Sequence, residues 1–199
     1  MESNFLEIVL EHYRENDWKS ILKLNEKSDN PKALKILWAW PEESNLFFLK
    51  YCLERYNIEG IMSIGCGCGL LEWIIEKCSG VRVSGYEVNK EWWESKYSNP
   101  CFIPLNFVEN ISSLYLNNKF ALMFCYFNNG EAFREYINRY NGEMVIIIGP
   151  SYGSGRHTDP QPFNPNFGHS CWHLRHFQQL KDTKDFIAIY LRFNISQLE

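Results

Sequence analysis

Apolar positions along the chain fall into two rhythms. From Phe5 to Lys27 they recur at helical spacing (Phe5, Ile8, Val9 and Tyr13, then Trp18, Ile21, Leu22 and Leu24), with a break near Asn16-Asp17. That pattern predicts two short helices. Pro31 opens a further apolar run, Ala33 to Trp40, and Pro41-Glu42-Glu43 then reads as a helix start. Proline suits a first helical turn, and acids favour the positive end of the helix dipole. This helix is expected to run to about Tyr56. Trp38 and Trp40 read as core or interface packing, with a place in a pocket wall as the alternative.

From Ile61 the rhythm alternates between short continuous apolar runs and helical spacing. Ile61-Met62-Ser63-Ile64 leads into Gly65-Cys66-Gly67-Cys68-Gly69, and Leu70 to Lys77 is helical again. The order is strand, tight turn, helix N-terminus. Glycines let the backbone turn sharply and let a ligand approach where a Cβ would collide. The first N–H groups of the helix are then free for polar or anionic parts of that ligand. Val81 to Asn89 is a second strand, and Lys90 to Tyr97 a helix ended by Asn99-Pro100. Cys101 to Leu105 is a third strand, and Lys119 to Phe127 a fourth. The turn Asn128-Asn129-Gly130 starts a helix over Glu131 to Tyr140, and Glu143 to Gly149 is the fifth strand. Runs this continuously apolar suit a parallel sheet covered on both faces. Strands alternating with helices imply right-handed crossovers, with ligands beyond the carboxyl ends of the strands.

After Ser151 the character changes. Tyr152 to Gly168 is rich in Gly, Pro and Asn, with Arg156, His157, Thr158 and Asp159 at its centre. A loop this long is more often functional than decorative, and its position after the fifth strand puts it over a pocket mouth. Trp172 to Leu180 and Phe186 to Phe193, around the turn Lys181-Asp182-Thr183-Lys184, read as an antiparallel hairpin. The expected fold is α/β: an open, mostly parallel twisted sheet with helices on both faces and a C-terminal antiparallel hairpin. A chain of 199 residues, 45% of them hydrophobic, is most simply one domain. Residues 1–40 would form an N-terminal helical extension and residues 41–199 the α/β core.

Composition narrows the function. A net charge of -4 argues against broad attraction to nucleic acid. The acidic start lacks a signal-peptide pattern, and no apolar run reaches the length of a membrane span. Seven cysteines, an odd number scattered through the elements, fit reduced thiols and a cytoplasmic or nuclear setting. The sequons at Asn110 and Asn194 then carry no meaning. His169, Cys171, His173 and His176 do not form a zinc spacing, so no metal is expected. Cys66 and Cys68 form C-x-C, not the redox spacing C-x-x-C.

The glycine bend is G-x-G-x-G. A dinucleotide fingerprint needs G-x-G-x-x-G, and Glu72 stands where its third glycine would be. With Glu87 closing the second strand about twenty residues on, the region from about Pro41 to Phe193 resembles the class I S-adenosylmethionine-dependent methyltransferases, whose sheet is Rossmann-like. The resemblance implies S-adenosyl-L-methionine as cofactor and methyl transfer to an O, N or S acceptor, small molecule or protein. Gly65, Cys66, Gly67 and Gly69 would line its methionine portion. Glu87 would accept from the ribose hydroxyls; otherwise it is a surface acid beside Lys90. Asn106, where family members often carry Asp, would meet the adenine amino group. Phe107 would pack on the adenine ring or in the core. Loop position makes His157 the first candidate for proton removal from the acceptor and Asp159 the second, with His157 otherwise an ordinary surface histidine.

Two features depart from the family pattern. The acid usual two residues before the first glycine is Ser63 here, which can hydrogen-bond but brings no charge to the methionine end. The Asn-Pro-Pro-aromatic signature of nucleobase amino methylation is replaced by Tyr126-Phe127-Asn128-Asn129. A binding or scaffolding protein that kept the fold and lost transfer is therefore the alternative. A third reading takes Gly149-Pro150-Ser151-Tyr152-Gly153 as the elbow of a serine hydrolase, with Asp159 and His169 completing a triad. That elbow needs a helix directly after it, and Gly153-Ser154-Gly155 is poor helix sequence.

Overall fold

In a computed structural model, which describes residues 5–169 and 171–192, the alternating pattern becomes one seven-stranded sheet flanked by helices. The helices are α1 (Phe5–Arg14), α2 (Trp18–Lys23), α3 (Glu43–Arg55), α4 (Leu70–Ser79), α5 (Lys90–Trp93) and α6 (Gly130–Arg139). The strands are β1 (Gly60–Ile64), β2 (Arg82–Glu87), β3 (Leu105–Phe107), β4 (Phe120–Cys125), β5 (Met144–Pro150), β6 (Trp172–Gln179) and β7 (Asp185–Arg192). Their spatial order is β3-β2-β1-β4-β5-β7-β6. The first five strands pair in parallel, and β7 inserts antiparallel between β5 and β6.

Period-two alternation divides the sheet's side chains between two cores. Ile61, Met123, Ile146, Ile148 and Ile189 face α1 to α4, and Met62, Leu122, Phe124, Val145, Ile147 and Tyr190 face α6. Both faces of β1 and β5 are therefore buried, which is why those runs carry no polar alternation. Phe5, Val9, Ile21 and Leu22 of α1 and α2 lie in the same core as α3 and α4, so the N-terminal helices are built into the first layer. Buried Asn45 ties α3 to the hairpin: its Nδ2 donates to Gln178 Oε1 at 2.9 Å and to the Gln179 carbonyl at 3.0 Å.

Three boundaries differ from the sequence expectation. Cys101 to Leu105 is not the third strand. Phe102 N–H donates to the Cys68 carbonyl at 2.8 Å, so this stretch hydrogen-bonds to the glycine bend, and Pro104 has no N–H for a ladder. Pairing with β2 starts at Leu105, opposite Gly85, and puts Asn106 inside the strand, not past it. Helix α5 stops at Trp93 instead of Tyr97, because Ser98 Oγ bonds the Trp93 and Ser95 carbonyls that a further turn would use. Pro41 stands outside α3, whose N-cap is Glu42 in a capping box with Asn45. Phe193 and Asn194 lie outside the described residues.

Candidate functional site

In the parallel part of the sheet, successive connections leave in opposite directions between β1 and β4. Such a switch point opens a crevice at the carboxyl ends of the strands. The glycine bend after β1 and Tyr126 after β4 border that crevice. Gly65 N–H and Cys66 N–H donate to the Tyr86 carbonyl at 2.8 and 3.4 Å, binding the bend to the end of β2. Glu87 Oε1 then accepts from Gly67 N–H at 2.7 Å, and Oε2 from its neighbour Val88 N–H at 3.3 Å. The acid that closes β2 is thus fixed against the bend after β1.

The glycines do different work. At Gly67, φ is +63°, and a Cβ built there would meet nothing nearer than Trp93 at 4.0 Å. This is the open part of the bend. At Gly69, φ is +77° and a Cβ would collide with Ile103, so this glycine is required by packing.

Two clefts meet at Gly65. One, of about 300 Å³, is lined by Trp38, Gly67, Glu72, Trp93 and Tyr126 among others. The second, of about 220 Å³, is lined by Tyr86, Glu87, Val88, Phe127 and Asn128 among others. A groove of about 330 Å³ elsewhere, edged by Lys19, Glu43 and Lys181, supplies no strand-end groups.

The larger of the two clefts holds a charge that sequence reading passed over. Glu72 is 1% exposed, in the first turn of α4. Ser63 Oγ donates to Glu72 Oε1 at 2.6 Å, and Oε2 is buried without a hydrogen-bond partner among the described residues. Burial pushes the Glu72 carboxyl up to about 7 from 4.5, against the hydrogen bond from Ser63, which lowers it. A detectable signal was present: Glu72 is an acid within the apolar run Leu70-Leu71-Trp73-Ile74-Ile75, on a helix whose buried face leaves it no route to water. Burial disfavours the thiolate of the nearby cysteines, pushing Cys66 and Cys125 upward and Cys68 up to about 12.

At the mouth of the same cleft, Tyr126 adopts φ +50°, a left-handed conformation that a tyrosine rarely takes. Its hydroxyl donates to Asp185 Oδ1 at 2.6 Å and accepts from Arg156 Nη1 at 2.7 Å. Trp38 stacks on its ring at 5.6 Å and stays 55% exposed, whereas Trp40 is buried and donates to the Leu22 carbonyl. The two tryptophans thus split the two sequence readings: Trp40 is core, and Trp38 walls the cleft.

The remaining candidates stand further off. Asn106 and Phe107 pair with Tyr86 and Glu87 across β3, but neither lines the two clefts, and Asn106 Nδ2 donates to the Gly85 carbonyl at 3.0 Å. His157 is exposed on the loop after β5, also outside both clefts. Asp159 exchanges backbone hydrogen bonds with Phe127 and Asn129, and its carboxylate lies where a Cβ on Gly130 would be, at the start of α6. No helix follows Ser151: residues 151–155 form a turn, so the hydrolase elbow lacks its support. Among the described residues, no group of three or more His, Cys, Asp or Glu side chains is placed to hold a metal ion. No described helix is long and apolar enough to cross a membrane.

No protein-family model and no curated protein matches the sequence. Solved structures do resemble the fold. The pyocyanin biosynthetic protein PhzM is 12% identical with a TM-score of 0.50, over 75% of this chain and 55% of that one. Magnesium protoporphyrin IX methyltransferase (ChlM) from Synechocystis PCC 6803, solved with bound SAM, is 12% identical with a TM-score of 0.48, over 76% and 79%. A SAM dependent methyltransferase from Archaeoglobus fulgidus is 14% identical with a TM-score of 0.41, over 74% and 94%. With its strand order, its antiparallel seventh strand and its glycine bend at the switch point, the chain has a Rossmann-like α/β fold, similar to that of PhzM.

Proposed function

We propose that the protein is an S-adenosylmethionine-dependent methyltransferase acting on an oxygen, nitrogen or sulfur acceptor. The observation that carries this reading is the contact of Glu87 with Gly67 N–H at the switch point. A carboxylate accepts about four hydrogen bonds. Glu87 takes two backbone donors, which leaves capacity for a pair of sugar hydroxyls. The residues present fit the cofactor by a second test: Gly67 leaves open space above the bend, and the two clefts flank it. Together the clefts fall in the range of about 300–1,000 Å³ usual for small-molecule sites.

Gly65, Cys66, Gly67 and Gly69 would line the methionine portion of the cofactor and Glu87 would hold its ribose, with Asn106 and Phe107 assigned to the adenine side. When bound, S-adenosylmethionine supplies a methyl group already activated on a sulfonium. The chain's own part is then to position the acceptor and keep water away, which is where most of the acceleration of such a transfer arises. Trp38 and Tyr126 form the wall suited to that role. His157 is assigned to take the acceptor's proton, as an exposed imidazole next in sequence to Arg156, which reaches the mouth through Tyr126. Asp159, facing the start of α6, is the second candidate.

Isothermal titration tests the reading directly. Wild-type protein is expected to bind S-adenosylmethionine and S-adenosylhomocysteine, and no detectable heat with either sinks the transferase assignment. His157→Ala is expected to leave binding of S-adenosylhomocysteine unchanged while slowing transfer to an acceptor found by screening. Equal turnover in both proteins would remove the imidazole from the mechanism.

A further inference from the structure

Ser63 deprives the bend of the strand-borne carboxylate expected beside it, and Glu72 offers one from the opposite side. Glu72 is buried to 1% and lines the cleft on the Trp38 side of Gly65. Ser63 Oγ holds Oε1 at 2.6 Å, which fixes the direction of the carboxylate, while Oε2 is buried with no donor among the described residues. No Lys, Arg or His pairs with it among the described ion pairs. The charge that acts on it is the like charge of Glu87. A buried carboxylate without a counter-charge is costly, and it stays ionised only where a cation or further donors reach it.

We propose that Glu72, oriented by Ser63, is the receptor for the ammonium group at the amino-acid end of the ligand, replacing the acid absent from position 63 with one carried on α4. This inference rests on the methyltransferase reading above. The missing partner must be a donor as well as a cation, because Oε2 lacks a hydrogen bond and not only a charge. An ammonium meets both needs; a sulfonium has no N–H or O–H to give. The two carboxylates then divide one ligand. Glu87, held by Gly67 N–H, takes the sugar on one side of Gly65, and Glu72 takes the charged end on the other. Ser63 is a positioning residue, and Glu72 is the binding group.

Three ligands and two variants test this. S-adenosylhomocysteine carries the ammonium, its deaminated analogue lacks only that group, and methylthioadenosine lacks the whole amino-acid end. In titrations of wild-type protein, removing the ammonium is expected to weaken binding at least about tenfold, as loss of a buried charge-assisted pair would. Glu72→Gln, nearly isosteric, should lose about the same factor for S-adenosylhomocysteine and leave methylthioadenosine within about twofold. Glu87→Ala should weaken both ligands. Equal losses for the two ligands in Glu72→Gln, or no loss for either, overturn the assignment while the methyltransferase reading stands. If the variant does not fold, the wild-type comparison decides: equal affinity for S-adenosylhomocysteine and its deaminated analogue overturns the assignment. Wild-type protein that binds neither S-adenosylhomocysteine nor methylthioadenosine overturns both readings at once.

Discussion

On one side of Gly65, Glu87 is half-buried with each carboxylate oxygen on a backbone N–H group. On the other, Glu72 is buried with one oxygen on Ser63 and the other on nothing. The side chains are chemically identical and lie within one crevice. Strand β2 delivers Glu87 to its carboxyl end, where the turned backbone of the bend supplies a donor. Helix α4 delivers Glu72 into the apolar layer that holds Leu70, Leu71 and Trp73, where, among the described residues, the Ser63 hydroxyl is its side-chain donor. The contrast teaches that a carboxylate's role is set by the donors its surroundings bring. A satisfied acid is a stable acceptor for neutral hydroxyls. A half-satisfied one disfavours its own ionisation until a cation arrives.

The largest effect expected from that difference is on stability against pH. The folded-state value of Glu72 lies above its unfolded value, so the native protein holds the proton more tightly. This contribution is fully present below about pH 4.5 and is lost as pH rises through about 7. The difference amounts to about 3 kcal/mol. Glu72→Gln keeps its neutral form throughout, so it should be more stable than wild type at pH 8 by a margin that shrinks toward pH 4. Urea denaturation at the two pH values checks this, and a pH-independent gap would show that Glu72 is solvated in the native state.

Next in size is the acid on the other side. Glu87→Ala should weaken S-adenosylhomocysteine about 30- to 100-fold, or about 2–3 kcal/mol, through loss of charge-assisted acceptors. Its affinity is read by titration, and an unchanged value would move the sugar away from β2. Gly69→Ala probes the frame that both clefts share. A side chain at φ +77° facing Ile103 should cost about 1–3 kcal/mol of stability by denaturant unfolding. A neutral result would mean that the stretch before β3 yields easily and does not brace the bend. The smallest effect is expected at the mouth. Tyr126→Phe removes the hydroxyl between Asp185 and Arg156 and should cost about 1 kcal/mol. Loss much above that, seen in thermal melting, would make this network a structural keystone instead of a rim.

Much of the α/β architecture could be read from the chain because strands and helices differ in period. Gly60–Ile64 and Met144–Pro150 are buried on both faces and therefore continuously apolar, which marks central strands. The third strand was misplaced for a physical reason. Cys101 to Leu105 is apolar enough to pair, but the carbonyl of Cys68 captures Phe102 N–H first. Likewise α5 reads long until the Ser98 hydroxyl intercepts its carbonyls. Local pattern does not record which distant partner claims a backbone group.

The chain by itself determined the glycine bend, the acid closing the second strand and the alternation that makes the sheet parallel. Each depends on residues adjacent in sequence or on one repeating period. Only the tertiary structure decided that Glu72 stands nine residues after Ser63 yet within 2.6 Å of it, and that Trp38 stacks on Tyr126. It also decided that Gly69 answers to Ile103 while Gly67 faces open space. These are meetings between elements, and their geometry depends on how a helix and a strand settle against each other, not on what either one spells.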